Sequence, residues 1–83
     1  MPYIKEERRK DLDKYDLVPR DPGELNYTII QDILEYLGLK DELHYADYNE
    51  VIGVLECVKQ ELYRRLIVPY EEEKRKLNGD VFV

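Results

Sequence analysis

The chain has no serine and no tryptophan, and only one cysteine, one histidine and one phenylalanine among its 83 residues. The missing serine excludes a serine nucleophile. Cys57 can form neither an intrachain disulfide nor, within one chain, a four-cysteine metal site. A cysteine nucleophile would need a base, yet the only histidine, His44, falls in a loop ahead of the helix that carries Cys57. An inert buried thiol is the simpler expectation. The four glycines Gly23, Gly38, Gly53 and Gly79 are isolated, so no phosphate-cradling loop exists. A carboxylate-bridged metal centre in a bundle needs inward Glu-x-x-His pairs, and only Asp41-x-x-His44 comes near that pattern. No metal and no cofactor is expected. Long apolar runs are missing as well. Nothing approaches the roughly 18 residues of a membrane span, and the start Met-Pro-Tyr-Ile-Lys-Glu-Glu lacks a signal peptide's apolar stretch. The composition therefore points to a cytoplasmic protein with no membrane partner.

Charge is abundant instead. Asp, Glu, Lys and Arg make up 39% of the chain, where about 25% is usual, while the hydrophobic share of 43% is ordinary. Such a chain folds rather than staying a disordered polyelectrolyte. Its polar surface is almost wholly charged, with one threonine, two glutamines and three asparagines. That pattern suggests a thermophile, because ion-pair networks gain value at high temperature; codon bias is the alternative. A net charge of −6 opposes general binding to phosphate backbones, so nucleic acid is not an expected partner. The basic clusters at Lys5 to Lys10, Arg64-Arg65 and Lys74 to Lys76 all have acidic neighbours, as salt-bridged helix surfaces do.

The apolar spacing predicts one all-α domain over residues 1–83, built from three helices. Lys5 to about Tyr15 is a short charged helix whose apolar positions are too sparse to hold it alone. Two prolines and a glycine in Leu17 to Gly23 mark a loop. Glu24 to Leu37 forms the second helix, stopped by Gly38, with Thr28, Gln31, Asp32 and Glu35 turned to water. The third is long, opening near Tyr48 with Asp47 and Glu50 as a capping box and closing at Asn78-Gly79. Val51, Ile52, Val54, Leu55, Val58, Leu62, Tyr63 and Leu66 gather on one broad face, the expected core stripe. Pro69 clashes with the carbonyl of Arg65 and predicts a bend there. Beyond it, Glu71 with Arg75 and Glu72 with Lys76 are spaced as (i, i+4) ion pairs, and Asp80 to Val83 is an apolar tail.

Three groups of residues stand out as candidate sites. Asn26 sits inside the apolar arc of the second helix beside Tyr27, where its amide must bond backbone or a tyrosine, or else line a pocket. Tyr63, Arg64, Arg65, Tyr70 and Glu71 bracket the bend, and guanidinium groups near aromatic rings suit phosphate or carboxylate ligands. This arrangement predicts two packed tyrosine rings and one arginine partly buried against Glu61 or Glu71. Gly53 costs up to about 1 kcal/mol in a helix interior, and with Cys57 and Val68 it makes a small second face. Either another part of the chain or a second copy must cover that face.

The segments Met1-Pro-Tyr-Ile4, Gly23-Glu-Leu-Asn-Tyr-Thr-Ile29, Val51-Ile-Gly-Val-Leu-Glu-Cys57, Glu61-Leu-Tyr-Arg-Arg65, Pro69-Tyr-Glu71 and Asn78-Gly-Asp-Val81 resemble, in this order, a short uncharacterised family of microbial and phage genomes. The resemblance implies that Asn26, Tyr27, Tyr63, Arg64, Arg65, Tyr70, Glu71, Asn78, Gly79 and Asp80 belong to the family pattern. It brings no activity with it, and phage association favours a small accessory or assembly role. Taken together, the chain reads as a non-enzymatic interaction or assembly protein acting as a homo-oligomer, with some other protein a further partner. The alternative is a small-molecule or nucleotide-binding regulator using the arginines, tyrosines and Asn26.

Overall fold

The computed structural model describes residues 1–82. Its helices are α1 (Glu6–Tyr15), α2 (Pro22–Leu37), α3 (Tyr45–Leu62) and α4 (Val68–Asn78), with a π-helical segment, Tyr63–Ile67, joining α3 to α4 into one bent helix. No strand occurs among the described residues. The fold is therefore all-α, three helices with the last one long and bent. The chain divides into two compact units, Met1–Leu43 and His44–Val83.

In the first unit α1 forms because acids open it (Glu6, Glu7) and Lys14 closes it, matching the helix dipole. Lys10 adds an (i, i+4) pair with Glu6 at 3.3 Å. Asp16 ends it in the left-handed region at φ 50°. Leu12 is its only buried residue, so apolar burial alone cannot dock it.

Helix α2 starts at Pro22, two residues earlier than the apolar pattern suggests, because Asp21 caps it. The Asp21 Oδ1 accepts the Glu24 backbone N–H at 2.8 Å, and Pro22 occupies the first helical position. Gly23 is held to its size by close approach: a Cβ there would lie 3.2 Å from both Ile4 Cγ2 and the Met1 carbonyl oxygen. The N-terminal segment thus closes over the first turn of α2. Leu12, Glu24, Tyr27 and Leu37 are the buried residues of the unit.

The solvent face of α2 differs from the expected one. Thr28 and Gln31 are half-buried, and the Thr28 hydroxyl is closed off from solvent without a hydrogen-bond partner. Leu25, Ile29 and Tyr36 are exposed instead. The reason lies in α1, which has little apolar surface to offer and docks by its charges on the more polar side of α2.

In the second unit the long helix begins at Tyr45 rather than near Tyr48. Asp47 is not the cap but a first-turn residue, whose Oδ2 accepts the His44 backbone N–H at 2.8 Å. The bend expected at Pro69 takes the form of the π-turn before it. Pro69 supplies no N–H to the Arg65 carbonyl, and the Val68 N–H bonds back five residues to the Tyr63 carbonyl, widening the turn ahead of the ring. Gly79, at φ 86°, stops α4, its N–H reaching the Arg75 carbonyl at 2.9 Å.

Within this unit the expected core stripe is not a core. No residue between Tyr45 and Asn78 is buried, although Val51 and Leu55 reach half-burial. A single helical rod has no second layer of its own to cover an apolar stripe. Cys57, expected to be buried, is exposed for the same reason.

Candidate functional site

The most built polar arrangement of the first unit centres on Glu24, a residue the apolar pattern left unnoticed at the edge of a helix. Its carboxylate is only 4% exposed and meets Arg8 Nη2 at 3.0 Å, with Arg8 itself 19% exposed. From the other side the Arg20 backbone N–H donates to Oε1 at 3.0 Å and Arg20 Nη2 to Oε2 at 3.2 Å. The hydrogen bond from Arg8 outweighs the cost of burial and, with the Arg20 bonds, lowers the Glu24 pKa from 4.5 to about 2. A carboxyl so acidic stays charged throughout the neutral range and cannot shuttle protons there. It clips α1, the following loop and α2 together. Sequence reading could have found it from one signal, Glu24 lying three residues after a capping Asp21 with Arg20 just before.

Tyr27, a candidate together with Asn26, is buried. Its hydroxyl donates to Asp13 Oδ2 at 2.7 Å. Burial first, and then the Asp13 carboxylate, raise its pKa above 10.0. Asn26 is half-buried beside it. Between α1 and α2 an open groove of about 470 Å³ is lined by Asp13, Asp16, Thr28, Gln31, Asp32 and Glu35, among others. Among the described residues no group of three or more His, Cys, Asp or Glu is placed to hold a metal ion.

The residues around the bend belong to the second unit, whereas Asn26 and Tyr27 belong to the first. Neither arginine is partly buried, contrary to expectation: Arg64 and Arg65 are 73% and 74% exposed. Both turn to one acid, Glu61, Arg64 through Nη2 and Arg65 through Nη1 at 3.5 Å. Residues at i+3 and i+4 from Glu61 straddle it, so a single carboxylate takes both charges. Tyr63 donates its hydroxyl to Glu71 Oε1 at 3.0 Å, bridging the π-segment to α4. The hydrogen bond to that carboxylate raises the tyrosine's pKa. With Glu71 so engaged, Arg75 pairs with Glu72 and Asp80 rather than with Glu71. Tyr70 is exposed beneath the Lys74 ammonium, 5.7 Å from its ring centre. The bend is thus a solvated, internally paired surface.

Gly53 faces open space, with nothing within 4 Å of a Cβ built on it, and Cys57 and Val68 are exposed. No helix is long and apolar enough to cross a membrane among the described residues.

Neither a curated protein nor a solved structure matches the chain. A family does match, over residues 1–81. The chain belongs to the family described as Domain of unknown function (DUF6899).

Proposed function

We propose that this chain is a non-enzymatic assembly protein that acts as a homo-oligomer, with the bent helix from Tyr45 to Asn78 as its principal contact. The observation that carries the reading is the apolar stripe of that helix, of which no residue is buried. Exposed side chains on it include Ile52, Val54, Val58, Leu62, Leu66 and Tyr70. Contiguous apolar surface of this extent on a helix marks an interaction site.

A helix without a buried face also lacks the tertiary packing from which most helical stability comes. Its partner supplies the missing layer.

Gly53, Cys57 and Val68 flank this stripe as a smaller surface, free to extend the contact. Catalysis has little support in the side chains: Arg8, Glu24, Glu56, Tyr27 and Tyr63 are all shifted away from neutrality. Light scattering at tens of micromolar tests the reading. It should return a multiple of 10.0 kDa, and Leu62→Glu should reduce that mass to the monomer's. A wild-type monomer overturns the proposal.

A further inference from the structure

The long helix carries a ridge that continues at every fourth residue: Glu50, Val54, Val58, Leu62, Leu66, Tyr70, Lys74. Its five apolar members are 62%, 49%, 52%, 64% and 63% exposed in that order. Leu62 is its midpoint, an acid ends it on one side and a base on the other. A four-residue step overshoots the α-helical turn by about 40°. The wider π-turn between Leu62 and Val68 takes back part of that overshoot, holding Leu66 and Tyr70 nearer the line of Val58 and Leu62.

Charge along the helix is polarised in the same sense. From Tyr45 to Val58 the charged residues are Asp47, Glu50 and Glu56, all acidic. From Lys59 to Asn78 bases outnumber acids, six to four. Glu50 forms no ion pair among the described residues, and Lys74 is engaged only with the Tyr70 ring.

The geometry points to an antiparallel pair: the ridge of one chain lies along the ridge of a second copy, with Leu62 against Leu62 at the two-fold axis. This inference rests on the proposed homo-oligomer and adds its orientation and register. Val58 then faces the partner's Leu66, Val54 the partner's Tyr70, and Glu50 the partner's Lys74. A parallel pair in register would instead set Glu50 against Glu50 and Lys74 against Lys74, and would bring like halves together. Opposed helix dipoles favour the antiparallel choice further. The interface is self-complementary, as a two-fold contact must be.

Site-directed crosslinking distinguishes the arrangements. In full-length chain carrying Cys57→Ala, we would prepare Val54→Cys and Tyr70→Cys separately, refold them alone and mixed, and oxidise gently. A disulfide needs Cα atoms within about 7 Å. In the antiparallel pair the two copies of position 54 lie about 24 Å apart along the axis, at 1.5 Å per residue. Crosslinked dimer is therefore expected only in the mixture. Crosslinking of Val54→Cys with itself overturns the inference, as does a dimer by light scattering that crosslinks in no combination. Either result leaves the homo-oligomer standing, whereas a monomer in light scattering removes both. Sedimentation equilibrium gives a second readout free of cysteine. Glu50→Lys should raise the dimer Kd about tenfold, and adding Lys74→Glu should restore it to within about threefold, surface pairs being worth up to about 1 kcal/mol each. An unchanged Kd for Glu50→Lys, the parallel outcome, overturns it.

Discussion

Leu12→Ala tests how α1 is held, because that helix buries one residue only. Leu12 is 6% exposed. Truncation to alanine removes three buried carbons, and at about 0.8 kcal/mol for each the transfer loss is near 2.5 kcal/mol. A cavity cost adds to this in a closed core, where such changes reach about 5 kcal/mol. Leu12 also lines the open groove between α1 and α2, so water can enter the vacated space and the cavity cost stays small. The expected loss is about 2 to 3 kcal/mol, against a total stability on the order of 4 to 12 kcal/mol for a chain of this length. Urea denaturation at fixed protein concentration measures it, concentration mattering for a chain that associates. Hydrogen exchange then locates it, with protection falling first across Glu6–Tyr15. A loss below about 1 kcal/mol would refute the reasoning: α1 would then be held by the Arg8–Glu24 and Tyr27–Asp13 contacts, with its leucine a bystander.

Three further outcomes follow from the same contacts. Glu24 has a folded pKa of about 2 against an ordinary 4.5, so its contribution to stability is complete above about pH 4.5 and is lost as pH falls towards 2; the difference in urea midpoint between wild type and Glu24→Gln should be constant above pH 5 and shrink below 4.5, and a difference independent of pH would sink the assignment. Tyr27→Phe removes a 2.7 Å hydrogen bond to a carboxylate and should cost about 1 to 1.5 kcal/mol, at the lower end because exposed Asp13 rehydrates; no change in urea midpoint would contradict it. Gly53→Ala meets open space and should raise thermal stability, by about 0.5 to 1 kcal/mol of helix propensity, without altering the mass in light scattering; a smaller mass would reveal a second backbone packed at Gly53.

The helices were legible because they are written in local terms. Pro22 and Gly38 bound α2, Asn78-Gly79 ends α4, and Pro69 announces the bend, each through a backbone requirement that no distant residue alters. Periodicity also identified the apolar stripe of the long helix, yet it could not say what covers that stripe. A period of 3.6 marks a face that must be buried, equally well against the same chain or another copy. The assignment of Val54, Val58, Leu62 and Leu66 to an internal core was the natural reading of a pattern that is silent on the partner. Their exposure turns the same residues into the candidate site.

The polar contacts were harder to read for a different reason. Arg64 and Arg65 drew attention as a pair, but what they pair with is decided by Glu61, one turn back, which meets both. Glu24 drew none, since a glutamate in a helix's first turn is ordinary. What distinguishes it is Arg8 arriving from α1, sixteen residues earlier, and no spacing rule along one helix contains that event. The buried carboxylate, the phenol of Tyr27 on Asp13 and the polar side of α2 turned towards α1 are three consequences of one deficiency. With Leu12 as its one buried anchor, α1 needs hydrogen-bonding groups beside that leucine to be held, and it therefore selects the face of α2 that offers them. Leu25, Ile29 and Tyr36, displaced to the outside by that choice, stay exposed with the stripe of the long helix. Each unit thus carries more apolar surface than it buries by itself, and on the reading proposed above a second copy covers that of the long helix.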